Sequence, residues 1–133
     1  MLPKSRTPTT ELAVVSKFDT YLHTRFSFLV GGNGKVYQGG GWLHVGAHTF
    51  GYNRRSIGIS FIGDFRTKEP TAAALQAVQR LLECGVNKNY LARDYHLVGH
   101  KQLIATESPG TSLYNLITDW PHWTRDVSAI AAH

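Results

Sequence analysis

Seven histidines in 133 residues are the first candidates for chemistry. His44 and His48 are four apart, as are His96 and His100, and on a helix either pair would set two imidazoles on one face, a zinc-binding arrangement. The surroundings argue otherwise. The first pair lies in a glycine-rich loop, the second straddles a strand and Gly99, and no His-Glu-x-x-His is present, so ordinary loop and surface histidines are the default. Nucleophiles fare no better. Cys84 stands late in an apolar helical run, where a small buried hydrophobe is expected. Ser108 lies in the turn Thr106-Glu107-Ser108-Pro109-Gly110, which has no nucleophile-elbow pattern. The glycines from Gly31 to Gly41 fail both phosphate-binding patterns: Gly34-Lys35 is followed by Val36, and Tyr37 stands where a dinucleotide site needs glycine.

Bulk composition narrows the classes. With 42% hydrophobic and 17% charged residues the chain is too apolar for disorder, and its length suits one domain. Fourteen Lys and Arg against nine Asp and Glu leave +5, which favours an anionic partner: nucleic acid, acidic lipid or a wall polymer. The basic residues are scattered, so no nucleic-acid partner is expected. A single cysteine excludes an internal disulfide and a multi-thiolate zinc site. The opening Met1-Leu2-Pro3-Lys4-Ser5-Arg6 lacks a signal peptide's apolar stretch, and no run of about 18 apolar residues is present to span a membrane.

The elements that must position any site read as follows. The first ten residues form a lead-in, and Leu12, Val14, Val15 and Phe18 are spaced loosely as a short amphipathic helix. Phe26, Phe28 and Val30, the turn Gly31-Gly32-Asn33-Gly34, and Lys35 to Gln38 make a β-hairpin. Ile57, Ile59 and Phe61 alternate with Ser56, Gly58 and Ser60, a strand with one core face and one face that admits close packing. Thr71 caps a helix carrying Leu75, Val78, Leu81 and Leu82 and closed by Gly85. A strand at Tyr95 to Val98 and a helix from Ser112 to Trp120, stopped by Pro121, complete an α/β domain with a mixed sheet and helices packed on it.

In order along the chain stand Phe26-Ser27-Phe28-Leu29-Val30-Gly31-Gly32-Asn33-Gly34-Lys35-Val36-Tyr37, Gly41-Trp42 and Val45-Gly46-Ala47-His48-Thr49. Then come Gly51-Tyr52-Asn53, the run from Arg55 to Gly63, Cys84-Gly85-Val86, Gly99-His100, Ser108-Pro109-Gly110 and Trp120-Pro121-His122-Trp123. This series resembles the peptidoglycan recognition proteins, whose domain is related to the zinc-dependent N-acetylmuramoyl-L-alanine amidases. The resemblance implies an amidase-like domain over 25–124, preceded by an atypical segment, 1–24, that lacks the family's first strand, and followed by a tail, 125–133. Catalytic members hold zinc with a histidine on that early strand, the histidine of Gly-His and a cysteine before Pro-Gly. Here only His100 stands at a ligand position, Ser108 replaces the cysteine, and nothing before Arg25 supplies the early histidine.

No metal or other cofactor and no amidase activity is therefore expected. The resemblance implies a non-catalytic pattern-recognition domain of innate immunity that binds the muramyl peptide stem of bacterial peptidoglycan. Tyr37, Gly41, Trp42, His48, Asn53, Arg55, His100, Thr106 and Ser108 would form its groove. Gly41-Trp42 and Arg55 match members that prefer the diaminopimelic stem, where an arginine clamps the extra carboxylate, while Gly40 replaces an arginine common in the family. Two alternatives stand beside this: a regulatory module that has lost ligand binding, with a sibling receptor chain as partner, and a residual amidase. Members are mostly secreted or displayed outside the cell.

Overall fold

The computed structural model describes residues 10–18, 26–42 and 56–130. The segment expected to be helical is instead a nine-residue strand, β1 (Thr10–Phe18). Its apolar residues explain why. Leu12 and Val14 point to one side, Ala13 and Val15 to the other, and all four are buried. A helix on a protein surface buries one stripe, whereas a strand inside a parallel sheet buries both faces, and β-branched valines suit it. The first strand expected to be missing is thus supplied by the N-terminal segment.

β1 lies between β4 (Ser56–Ile62) and β5 (Leu91–Gly99), parallel to both. β2 (Phe28–Val30) pairs parallel with β4 and antiparallel with β3 (Val36–Gln38), so the sheet order is β3-β2-β4-β1-β5. The expected hairpin is present. Its turn is closed by hydrogen bonds from Gly31 N–H to Lys35 O and from Gly34 N–H to Gly31 O, with Gly34 at φ +82°.

The two faces differ in what covers them. Ala13, Val15, Val30, Ile57, Ile59, Phe61 and Leu97 pack under α1 (Ala72–Asn87) and α2 (Thr111–Ile117) in the main core. On the opposite face Leu12, Val14 and Val98 meet Leu103, Val127 and Ile130. Residues after 124, expected as a tail, therefore contribute to the second core; Asp126 caps their 3-10 turn through Ser128 N–H.

Thr71 caps α1 as expected, accepting from Ala74 N–H at 3.1 Å, and its hydroxyl donates to Gly32 O. Gly85 does not end the helix. The stop lies at Asn89, whose φ of +64° lets its N–H reach Val86 O while Tyr90 N–H reaches Gly85 O. Gly85 has a different use, because a Cβ there would overlap the far edge of the Trp42 indole. Gly85→Ala is expected to lose about 1–3 kcal/mol despite alanine's better helix propensity. A lowered thermal midpoint in a circular dichroism melt would register this, and an unchanged midpoint would mean that Trp42 swings aside freely. α2 ends three residues before the expected Trp120, and Trp120 and Trp123 pack against the core beyond it.

Candidate functional site

Four parallel strands end on one side of the sheet, where open α/β sheets commonly bind ligands. The β1–β5 ladder stops at Val15 and Gly99, because β5 turns into a 3-10 segment, His100–Gln102, and Gln102 Oε1 accepts from Gly99 N–H at 2.8 Å. Past that point Ser108 takes the place of a neighbouring strand: its Oγ accepts from Lys17 N–H at 3.0 Å. Ser108 N–H in turn donates to Thr106 Oγ1 at 3.2 Å. The structure thus brings Thr106 and Ser108 to the end of β1, with His100 at the end of the adjoining strand.

The face away from the two helices carries small polar residues here. Ser16 and Ser60 are cross-strand neighbours, and both are buried. Neither hydroxyl has a hydrogen-bond partner among the described residues. Ser60 lies beside Leu29, which faces Tyr37 across the hairpin, so Tyr37 joins the same face with 46% of its surface exposed. The alternation of Ser56, Gly58 and Ser60 was legible in the sequence. Ser16 and Lys17 were missed, and reading β1 as a strand would have found them.

Trp42 lies toward the helices. Its indole sits 5.0 Å from the Phe28 ring, stacks on Tyr90 at 5.7 Å and packs into the main core on the helix-covered face. Gly41, at φ +70°, makes the bend that sends the chain there, and its N–H donates to Ser27 O. This pair has a packing role, with the indole wedged between the Phe28 and Tyr90 rings and Gly85 of the helix. His48, Asn53 and Arg55 lie outside the described residues.

The rim beyond β4 holds an exposed ion pair, Asp64 to Arg66 at 2.7 Å. Hydrogen bonds from the Arg66 side chain and backbone draw the Asp64 carboxyl down to about 2, so it stays charged until the pH falls to that level. The same pairing pushes the Arg66 guanidinium up.

The donor set does not fit zinc. A hydrolytic zinc needs three protein ligands and an open position. β1 contains no histidine, the Ser108 hydroxyl is already engaged by Lys17 N–H, and a neutral hydroxyl is a poor substitute for a thiolate. Among the described residues no group of three His, Cys, Asp or Glu side chains could hold a metal ion. Ser108→Ala is expected to destabilise the fold by about 1–2 kcal/mol through the orphaned Lys17 amide. Urea denaturation measures this directly, and loss of protection at the Lys17 amide in hydrogen exchange would locate it.

A mixed sheet of this order, with helices packed on it, is that of an amidase-type domain. The family model for N-acetylmuramoyl-L-alanine amidase matches residues 5–111, a span that includes β1. A peptidoglycan recognition protein of Bombyx mori is 64% identical over 104 residues, covering 78% of this chain and 53% of that protein. A chain in the structure of tracheal cytotoxin bound to the ectodomain complex of peptidoglycan recognition proteins LCa and LCx shares 40% identity at a TM-score of 0.88. That match covers 95% of this chain and 91% of that one. Peptidoglycan recognition protein-LE, solved with tracheal cytotoxin (monomeric diaminopimelic acid-type peptidoglycan), aligns at 35% identity and TM-score 0.89, covering 96% and 90% of the two chains. The chain belongs to the peptidoglycan recognition protein family, and it spans about half the length of the Bombyx relative.

Proposed function

We propose that the chain binds the muramyl peptide stem of bacterial peptidoglycan without cleaving it, as a recognition domain of innate immunity. The observation that carries this is the end of β1: a strand without histidine, whose Lys17 amide is held by the serine that stands in place of the cysteine ligand. A cleft so built keeps hydrogen-bonding groups and an exposed aromatic, Tyr37, while lacking the means to activate water. Relatives solved with tracheal cytotoxin support the ligand class. The preference for the diaminopimelic stem rests on Arg55, whose guanidinium would pair in bidentate fashion with the carboxylate that a lysine-type stem lacks. His48, Asn53, His100 and Thr106 complete the proposed groove. A sibling chain as a second partner is supported by the two-receptor complex named above.

Calorimetric titration with diaminopimelic-type and lysine-type muropeptides, with mass spectrometry of the same samples with and without zinc, tests the ligand, the preference between stems and the absence of cleavage. Tighter binding of the diaminopimelic form with intact ligand is the expected result. Released stem peptide, abolished by a chelator, would restore the enzyme reading, and a folded sample that binds neither muropeptide would overturn recognition itself.

A further inference from the structure

A cavity of about 500 Å³ lies between the second half of α1, the start of β5 and the segment after α2, lined by none of Tyr37, His100, Thr106 and Ser108. Its volume is that of an ordinary small-molecule site. On α1 the lining residues Gln79, Leu82, Glu83 and Val86 fall three and four apart, a single helical stripe. β5 meets them through an irregularity. Between the pairs Thr10–Leu91 and Leu12–His96, β5 advances five residues while β1 advances two, so three extra residues bulge from the sheet. Bulges of this kind re-aim side chains and concentrate beside functional sites, and this one contributes Arg93 and Tyr95 to the cavity.

The third wall is strained. His122 is a non-glycine residue at φ +73°, a conformation that costs about 1–2 kcal/mol and persists only where its surroundings enforce it. Here the surroundings are specific: the imidazole stacks on Tyr95 at 3.9 Å and 9°, and its Nδ1 lies 2.9 Å from Tyr95 O. The same turn also ties the segment to the sheet, since His122 O accepts from Leu97 N–H at 2.9 Å. Glu83 and Tyr95 both line the cavity, and burial, then the Glu83 carboxylate, push the Tyr95 phenol up.

The geometry points to a second ligand site, one for a short zwitterionic peptide with an apolar side chain. The cavity offers one acid, Glu83, for an ammonium group and one guanidinium, Arg93, for a terminal carboxylate. Gln79 and Asn87 supply amides that match peptide N–H and C=O groups, and Leu82, Val86, Tyr95 and Trp120 form an apolar floor. Both termini of the peptide are recognised, so a segment within a longer chain does not fit.

The probe is the dipeptide leucyl-phenylalanine, titrated into the full chain and followed by two-dimensional amide NMR. Saturable shifts are expected at Glu83, Val86, Arg93, Tyr95 and Trp120, with Tyr37 and Ser60 unmoved. Glu83→Gln and Arg93→Gln, both at exposed positions, should each weaken binding about fivefold to tenfold. The same peptide acetylated and amidated at its ends should lose at least as much. Absence of saturable shifts, shifts confined to the Tyr37 face, or equal binding of the blocked peptide would each overturn the proposal. The muropeptide reading is unaffected by any of these results, because none of the described residues proposed for its groove lines this cavity.

Discussion

Gly110→Ala is expected to leave the chain unfolded, or melting far below the parent. Gly110 adopts φ +100° and ψ 147°, a region open in practice to glycine alone. A Cβ there would lie 2.5 Å from the carbonyl carbon of Phe65, 2.6 Å from its oxygen and 2.8 Å from Arg66 N. All three contacts are backbone, so no side chain can swing aside. The same junction ties α2 down, since Ser112 N–H donates to Phe65 O at 2.9 Å and Tyr114 N–H to Gly110 O. Relief of the clash would therefore pull α2 off the sheet or displace the Ser108 turn from β1. A cost of about 3 kcal/mol or more is expected, a large share of a small domain's stability. Chemical denaturation with a fluorescence readout decides it: a midpoint within error of the parent would show that the loop repacks at no cost.

Arg55→Ala carries the largest functional effect. If its guanidinium clamps the diaminopimelic carboxylate, the variant loses a charge-assisted bidentate contact worth about 1.5–3 kcal/mol, or roughly ten- to a hundredfold in affinity. Affinity for the lysine-type stem should hardly change, because that ligand never made the contact. Calorimetry on both ligands therefore separates a clamp from a general loss of charge. Equal weakening of both would mean that Arg55 supports the groove without reading the stem, and no weakening of either would place it outside the site. Trp42→Phe makes the contrast: its ring packs between Phe28, Tyr90 and Gly85, so the expected damage is to stability and the preference between stems should persist.

Much of this architecture was legible in the chain. The hairpin announced itself through alternation interrupted by four turn residues, α1 through its threonine cap and apolar stripe, and β4 through strict alternation of large and small. These are local signals, in which neighbours along the chain decide the conformation. β1 failed for the opposite reason. Leu-Ala-Val-Val is apolar on both sides, and periodicity cannot tell such a run from a buried helix; its conformation comes from two parallel neighbours that lie more than forty residues away in sequence. Gly85 misled in a similar way, since a glycine near a helix end reads as a stop until the indole pressed against it is seen.

Of the candidate site, the sequence by itself determined that serine, not cysteine, precedes Pro109-Gly110, and a serine is not a thiolate wherever it sits. Net charge and the single cysteine likewise follow from the sequence with no fold required. Only the tertiary structure decided that Trp42 belongs to the core, that Ser108 holds the end of β1, and that Glu83, Arg93 and His122 share one cavity. Each of those statements joins residues far apart in the chain. Which face a side chain presents depends on strand register and helix packing, and both are settled when the sheet assembles as a whole.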